Sequence, residues 1–187
     1  FAATRGGVSG EDAPPMELRP TRAADLPLLH DIFIAAIRGV YEPHAFAPPA
    51  PPFEVFANQQ RHLLEHDAER CVVAELNGAP VAYASAWVRG DAWFLASLFV
   101  RPDAQAHGVG NALLEAVWGE ARQRRTLTDA IQPVSNALYG RRGLVPATPV
   151  LAFTGRAQIH CGGELEPAAD HTDVAAALRA VDEAAYG

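Results

Sequence analysis

The sequence predicts an α/β fold of one domain, and two patterns along the chain indicate it. Apolar residues recur at three- and four-residue steps in residues 26–37 and again in 109–117, which is typical of amphipathic helices. Between residues 71 and 100 the pattern changes to β-rich runs separated by turn residues. With 187 residues, of which 49% are hydrophobic, the chain can bury one sizeable core but not two full domains.

The N-terminal third predicts a leader, a strand and two helices. Residues 1–15 combine Gly, Ser and Pro without apolar periodicity, so we expect a flexible leader. Glu17 begins a short strand candidate, and Asp25 is the expected cap of the first helix. Five prolines in residues 40–53 exclude a continuous helix there, so we expect a long aromatic loop before a second helix over residues 53–67.

The rest of the chain predicts three consecutive strands and then alternating elements. The runs CVVAEL and PVAYASAWV are joined by Asn77-Gly78, a hairpin signal, and Gly90-Asp91 leads into a third run, AWFLASLFV. One face of the next helix consists of Val109, Ala112, Leu113, Ala116 and Val117. Beyond it, TLTDAIQPV is a strand candidate, SNALYGRRG predicts a short helix ended by its last glycine, and PVLAFTG predicts a final strand.

Composition argues against several classes of function. The formal net charge of −7 excludes a typical nucleic-acid binder, which needs a basic face. The apolar runs are shorter than the roughly 20 residues that span a bilayer, so no membrane role is expected. Cys71 and Cys161 are too few for a disulfide framework or a zinc site. We therefore expect a cytoplasmic protein with reduced thiols and no metal.

The stretch QAHGVG, residues 105–110, places two glycines one residue apart at the start of a helix. Glycines let a phosphate approach the N–H groups at the positive end of a helix, so an anion-binding loop is one interpretation. The other is that the glycines only start the helix. The dinucleotide-binding pattern is excluded because Leu113 occupies its third glycine position, and a P-loop is excluded because the chain has no lysine.

Two motifs in order carry a resemblance to a known family. The segment VRPDAQAHGVGNALLEAV contains Gln105, Gly108 and Gly110 in a Q/R-x-x-G-x-G/A pattern, and it resembles the coenzyme-A-binding segment of the GNAT-type N-acetyltransferases. The segment SNALYGRRGLVP, with Asn136 and Tyr139 at the family's steps, resembles that family's late motif. Two motifs separated by a helix are more specific than either one alone.

The resemblance covers residues 16–155, the predicted acetyltransferase domain, and implies a mixed, mostly antiparallel central sheet with helices on both faces. It also implies acetyl-CoA as cosubstrate, held by backbone groups of the third strand, by the N–H groups of the glycine loop and by an asparagine. The residues so implied are Leu98, Phe99, Val100, Gln105, Ala106, His107, Gly108, Val109, Gly110, Asn111 and Asn136. Positive charge near the phosphates is expected from Arg101, His107, Arg141 or Arg142, unless these side chains are simply solvated.

The implied reaction is acetyl transfer to a primary amine by direct attack. The departing thiolate benefits from a proton donor, and a tyrosine with an ordinary pKa of about 10 retains its proton at neutral pH. Tyr139 is therefore the predicted catalytic residue; the alternative is an ordinary core aromatic. A backbone N–H within Leu98–Val100 is expected to stabilise the developing oxyanion.

The general base stays unassigned at this point. Many members of the family carry a glutamate on the strand before the glycine loop, whereas DAWFLASLFV offers only Asp91 and Ser97. Candidates on the acceptor side are Tyr41, Glu42 and His44, in the Pro-rich loop. The histidines at positions 30, 62 and 66 are expected to face solvent. A covalent route through Cys71 is not expected, because its neighbours are apolar.

The C-terminal extension, residues 156–187, echoes the start of the chain. The segment ELEP at 164–167 matches ELRP at 17–20, and Asp173 to Gly187 spans as many residues as Asp25 to Gly39. One hypothesis is a truncated second repeat of a tandem acetyltransferase, with dimerisation through residues 164–187. The other is coincidence between two Ala-rich amphipathic helices.

Two rival functions remain open beside the active enzyme. The first is a catalytically inactive GNAT-fold module for CoA binding or dimerisation, which the missing strand glutamate favours. The second is a domain that binds another phosphate ligand. The acceptor also stays open, since a small-molecule amine and a peptide amine are both compatible with the sequence.

Overall fold

The computed structural model describes residues 15–45, 50–105, 107–150 and 174–186. Contacts divide the chain into two compact units, Phe1–Ala147 and Thr148–Gly187. The first unit holds one sheet of five strands in sequence order: β1 (Met16–Pro20), β2 (Cys71–Leu76), β3 (Ala79–Arg89), β4 (Ala92–Val100) and β5 (Gln123–Thr126). The predicted α/β class with a mostly antiparallel sheet is confirmed. The domain boundary after residue 155 stays a prediction.

Within the described residues, four α-helices accompany the sheet in the first unit, and a fifth belongs to the second unit. They are α1 (Leu26–Tyr41), α2 (Phe53–His66), α3 (Val109–Val117), α4 (Pro133–Arg141) and α5 (Val174–Tyr186). Pro133 stands at the first position of α4, and the side chain of Gln132 accepts a hydrogen bond from the Val134 N–H. The predicted short helix therefore begins two residues before Ser135.

The first four strands form the predicted antiparallel meander, and β5 joins β4 in parallel. Asn77 and Gly78 have φ angles of 52° and 74°, the left-handed conformation that a two-residue hairpin turn requires. The predicted hairpin is thus confirmed. Ser85 pairs with Ser97 and Ala86 with Leu95, so Ala96 is the extra residue of a β-bulge in the middle of β4.

Helices cover both faces of the sheet. On one face α3 buries Val109, Leu113, Leu114 and Val117, together with Leu138 and Tyr139 of α4. On the other face, apolar side chains of α1 and α2 pack on Val73 and Tyr83. The apolar pattern of residues 109–117 coincides with α3, but Leu114 is buried where the pattern indicated Ala112 and Ala116.

The predicted strand in TLTDAIQPV is wrong in position, because only Thr126 of that run belongs to β5. The chain leaves α3 through Gly119, where an added Cβ would come within 2.9 Å of a Trp93 side-chain carbon. Asp91 then binds the backbone: its carboxylate accepts the Arg122 N–H at 3.1 Å, and its carbonyl oxygen accepts the Gln123 N–H at 3.1 Å. These contacts start β5 earlier than the local sequence indicates.

Asp25 does not cap α1 through its side chain. Its carboxylate accepts the Arg22 backbone N–H at 2.7 Å and pairs with Arg19 at 2.7 Å, so it holds the turn before the helix. Residues 1–14 of the predicted leader, residues 151–155 of the predicted last strand and residues 164–173 of the echoed segment lie outside the described residues. α5 agrees with the helix expected after Asp173.

Candidate active site

The sheet opens at the middle of β4. Parallel pairing between β4 and β5 runs only from Ala92 to Leu95, opposite Gln123 to Thr126. From Ala96 to Val100, β4 continues along β3, and no strand of the described residues pairs with its other side. A strand edge of this kind presents backbone N–H and C=O groups that an extended ligand can pair with.

The hydrogen bonds around this edge indicate which backbone groups face it. The Arg101 N–H donates to the Val81 carbonyl oxygen at 2.9 Å, which continues the β3–β4 ladder past the strand end. Because pairs alternate along an antiparallel ladder, the backbone groups of Leu98 and Val100 point away from β3, and those of Phe99 point towards it. The carbonyl of Val100 accepts the Gln105 side-chain amide at 3.3 Å on the open side.

A cavity of about 370 Å³ lies at this opening. Its walls come from α1, β4, the glycine loop, the segment after β5, and α4. The volume falls within the range of roughly 300–1,000 Å³ that small-ligand sites occupy. Of the predicted cofactor residues, those that line it are Leu98, Phe99, Val100, Gln105, Gly108, Val109, Gly110 and Asn111.

The two glycines of the loop have different roles. Gly108 has a φ of 77° and stands directly before α3, with no side-chain cap, so the first N–H groups of the helix have no intrahelical acceptor. A Cβ on Gly108 would meet nothing within 4 Å, which leaves backbone conformation as the reason for glycine there. A Cβ on Gly110 would lie 3.8–3.9 Å from Leu98, Val100 and Leu138, at the wall of the cavity.

The remaining loop residues that were predicted to contact the cofactor differ in their surroundings. Ala106 lies outside the described residues. His107 is exposed, and its Nδ1 lies 3.4 Å from the Ala104 carbonyl oxygen. Asn111 accepts a hydrogen bond from Arg142 at 3.0 Å. Contact of any of them with a cofactor stays a prediction.

The four candidate cations near the loop are not equivalent. Arg101 is paired with Asp103 at 2.8 Å, and Arg142 is paired with Glu115. Arg141 is exposed and lines the cavity, and it makes no ion pair within the described part of the chain. Arg141 is therefore the guanidinium best placed to meet a phosphate in this cavity.

Tyr139 is buried and lines the same cavity. Burial raises the pKa of Tyr139 to about 12, and a hydrogen bond with the Thr126 hydroxyl lowers it in part. The Thr126 hydroxyl in turn donates to the Leu95 carbonyl oxygen at 3.1 Å, where β4 and β5 part. The phenol is thus held at the point where the sheet opens, and it keeps its proton at neutral pH.

Asn136 is absent from the cavity wall. Its side-chain amide donates to the carbonyl oxygens of Gln132 at 2.7 Å and Asp129 at 3.0 Å. In the structure it therefore holds the segment between β5 and α4 against the first turn of α4. Its predicted contact with the cofactor stays a prediction.

The open part of β4 carries no carboxylate. Ser97 stands there instead, buried and hydrogen bonded to Gln60 at 3.1 Å, and Gln60 accepts from Ser85 at 3.0 Å. Glu42 and His44 are exposed, and neither lines the cavity. None of the acceptor-side candidates Tyr41, Glu42 and His44 therefore lines the cavity, although Tyr41 is hydrogen bonded to a residue that does.

Among the described residues, Asp129 is the acidic residue that lines this cavity, and no pattern in the sequence indicated it. Tyr41, at the end of α1, is hydrogen bonded to the Asp129 carboxylate; burial, and to a smaller degree that carboxylate, raise the pKa of Tyr41 to about 12. The two residues are 88 positions apart, so no local pattern indicates their contact. An alignment of related sequences would be the signal able to find it.

A second cavity, of about 530 Å³, lies on the α2 side of the sheet. It shares Leu95, Ala96 and Leu127 with the first cavity, so the two meet where β4 and β5 part. Its other walls are formed by α2 and by the β3–β4 hairpin. These wall residues are Gln59, His62, Leu63, Trp87, Arg89 and Phe94. His62 is exposed, as expected, but it also lines this cavity.

The described residues do not support a metal site or a cysteine nucleophile. Within the described residues, no group of three or more His, Cys, Asp or Glu side chains is arranged to hold a metal ion. Cys71 is buried, and burial raises the pKa of its thiol to about 11, which leaves it a poor nucleophile at neutral pH. No helix in the described ranges combines the length and apolar character needed to cross a membrane.

A sheet that opens at one strand, beside an uncapped helix N-terminus, defines an α/β protein built to bind an extended, anionic ligand. The sequence profile of the acetyltransferase (GNAT) family matches residues 33–144, more than half of the chain. The chain therefore belongs to the GNAT acetyltransferase family, whose members are acetyl-CoA-dependent acyltransferases, and acetyl-CoA is its cosubstrate. No protein of curated function matches the sequence.

Solved structures share the fold at low sequence identity. An aminoglycoside N-acetyltransferase, AAC(6')-Iy, bound to a CoA bisubstrate analogue is 21% identical, with 76% of this chain and 99% of that chain covered and a TM-score of 0.53. A GCN5-related N-acetyltransferase from Ralstonia eutropha is 21% identical, with 75% and 99% covered and a TM-score of 0.54. The PaiA N-acetyltransferase from Thermoplasma acidophilum, in complex with coenzyme A, is 13% identical, with 68% and 88% covered and a TM-score of 0.53.

Proposed function

We propose that this chain moves the acetyl group of acetyl-CoA to a primary amine by direct attack, with Tyr139 as the proton donor to the leaving sulfur. The observation that carries the proposal is one cavity that contains both the uncapped N-terminus of α3 and the buried phenol of Tyr139. A ligand that reaches from the helix N-terminus along the open edge of β4 ends beside that phenol. Binding and proton donation thus belong to one site.

The residues present fit the cosubstrate. The free N–H groups at the start of α3 suit a pyrophosphate, and Arg141 adds positive charge at the wall. The outward backbone groups of Leu98 and Val100 suit an amide-bearing arm. When bound, acetyl-CoA supplies a thioester-activated acetyl group, which an amine can attack without an acyl-enzyme.

The protonation state of Tyr139 suits a donor. Because burial raises its pKa to about 12, the phenol is neutral over the whole physiological range. Thr126 orients it from the end of β5, and the Leu95 carbonyl fixes Thr126. The chain also keeps Asp129 on the cavity wall, so that a carboxylate is available near an ammonium group of the acceptor.

The proposed acceptor is a small-molecule or peptide amine. AAC(6')-Iy, which shares the fold, is an aminoglycoside acetyltransferase. This supports an amine as the class of acceptor but does not identify the particular amine that this chain acetylates. We also propose a cytoplasmic location and homodimerisation through residues 164–187 of the extension. The molar mass of the full chain and of a chain ending at residue 155, by light scattering, tests the dimer.

Cosubstrate binding is measured first, by calorimetry with acetyl-CoA. We expect the wild type to bind and Gly108→Trp to lose binding, since the indole blocks the helix N-terminus. Gly78→Trp is the matched control: Gly78 also has positive φ and open space around its Cα, but it lies at a hairpin tip. A wild type that does not bind acetyl-CoA overturns the proposal.

Chemistry is measured next, as thiol release with a panel of amines. Tyr139→Phe should retain acetyl-CoA binding while its kcat falls by about a hundredfold or more, the usual loss when a general acid is removed. An unchanged kcat would remove Tyr139 from the chemistry. A wild type that binds acetyl-CoA tightly yet acetylates none of the amines would favour the inactive binding module.

A further inference from the structure

The second cavity has no role in cosubstrate binding as proposed above, yet it borders the first cavity. Leu95, Ala96 and Leu127 belong to both walls. Tyr139 contributes to the first cavity and α2 to the second. A group that enters from the α2 side therefore reaches the shared wall from the side opposite to α4.

One wall of the second cavity is aromatic. Trp87 and Phe94 face each other across the β3–β4 hairpin with ring centroids 5.3 Å apart and planes inclined by 17°. Arg89 lies 5.8 Å from the centre of the Trp87 ring, but two of its nitrogens bind the buried carboxylate of Asp67 at 2.7 and 2.8 Å. This pairing leaves the wall without an unbalanced positive charge to repel an ammonium group.

The opposite wall carries His62 on α2. Among the described residues that line the two cavities, His62 carries the one imidazole, a group that commonly serves as a general base. Its charged or titratable neighbours are His66 on the same helix, with ring centroids 4.5 Å apart, and Arg89 with Asp67 across the cavity. His66 itself lies beside Glu65 and does not line the cavity.

We propose that the second cavity holds the acceptor, with an apolar or aromatic body against Trp87 and Phe94, and that His62 accepts the proton of its amine. This inference rests on the proposed acetyl transfer and names the substrate class and the base for it. An arylalkylamine is the acceptor chemistry that matches a stacked aromatic wall beside an imidazole. His62 supplies the base that β4 lacks.

The proton and electron balance closes with the groups present. The amine reacts as its neutral base, after the proton of its ammonium form has passed to solvent. As its nitrogen forms the bond to the acetyl carbon, one N–H proton passes to the imidazole of His62. The carbon–sulfur electron pair leaves with sulfur, which receives the proton of Tyr139. The imidazolium and the phenolate that result are returned to their starting states by solvent, so no oxidant, reductant or metal is needed.

The pH dependence of kcat at saturating 2-phenylethylamine tests His62, because kcat/KM would also report the ionisation of the free amine. We expect wild type to lose activity on the acid side of neutrality, and His62→Gln to lose about a hundredfold in kcat and that acidic limb together. His66→Gln, one helical turn away, is the matched control and keeps both. An acidic limb retained in His62→Gln overturns the inference, and its loss in Asp129→Asn would assign the base to Asp129 instead.

Acceptor selection tests the aromatic wall. Trp87→Ala should raise the KM for 2-phenylethylamine by about tenfold and leave the KM for n-butylamine unchanged. Trp118→Ala removes an indole that packs on Trp93, on the face of the sheet opposite to the second cavity. It is the control for the loss of tryptophan fluorescence and of stability that any Trp→Ala substitution causes. Equal effects of Trp87→Ala on both amines would overturn the acceptor assignment.

A binding measurement separates this inference from the proposed function. In the complex with CoA, 2-phenylethylamine should shift the Hε1 proton resonance of His62, assigned through its loss in His62→Gln, and should not shift that of His66. The protein could bind acetyl-CoA and acetylate other amines while the His62 resonance does not shift. That result would retain the proposed function and overturn the inference. Loss of acetyl-CoA binding in the wild type would overturn both.

Discussion

Replacing each glycine of the loop by alanine should change stability in opposite directions. At Gly108 the added Cβ has open space, so the penalty comes from a φ of 77°, and a left-handed conformation costs a non-glycine residue about 1–2 kcal/mol. At Gly110 the φ is not positive and the Cβ contacts lie at 3.8–3.9 Å, an ordinary packing distance. Replacing a helical glycine by alanine gains about 0.5–1 kcal/mol.

These free energies convert into measurable melting temperatures. For a chain of this size, 1 kcal/mol shifts the melting temperature by about 2–4 °C. We expect Gly108→Ala to lower it by about 2–8 °C and Gly110→Ala to raise it by about 1–4 °C. The Gly110 methyl group also narrows the cavity beside Leu98 and Val100, so the more stable variant should bind acetyl-CoA more weakly.

Thermal unfolding followed by circular dichroism, with calorimetric titration of acetyl-CoA, measures both effects on the same two proteins. A Gly108→Ala variant as stable as the wild type would refute the argument from backbone conformation. A Gly110→Ala variant that is destabilised would show that the wall has no room for a methyl group. An unchanged acetyl-CoA affinity in Gly110→Ala would show that the cosubstrate does not contact the cavity wall at Gly110.

Three further outcomes follow from contacts outside the cavity. Gly119→Ala should destabilise the fold by about 1–3 kcal/mol in urea unfolding, because its Cβ would lie 2.9 Å from Trp93; a neutral effect would mean that the indole shifts freely. The Arg89 guanidinium holds the pKa of Asp67 below its ordinary value, so this carboxylate stabilises the fold above the unfolded-state pKa and loses that effect as the pH falls. Asp67→Asn should therefore lower the urea midpoint more at pH 7 than at pH 3, and equal losses would contradict the ion pair. In a Cys161→Ser background, the Cys71 thiol, with its pKa raised to about 11, should react with a disulfide reagent at pH 8 only after unfolding, and rapid reaction of the folded protein would contradict its burial.

Much of the fold could be predicted because its signals are local. The hairpin at Asn77-Gly78 follows from two adjacent residues that tolerate positive φ, and β4 coincides with the run AWFLASLFV. The apolar pattern of residues 109–117 coincides with α3. β5 was misplaced because its start depends on Asp91, which lies 31 residues before Arg122.

The sequence by itself determined the class of the sheet, the glycine loop and the candidate proton donor, because each depends on residues within a few positions of one another. Only the tertiary structure decided which groups share a cavity. It joined Tyr41 to Asp129, aligned Tyr139 with Thr126 at the end of β5, and set His62 on a wall that adjoins the first cavity. These contacts bring together residues from separate helices and strands, and their distances are set by how the helices pack on the sheet.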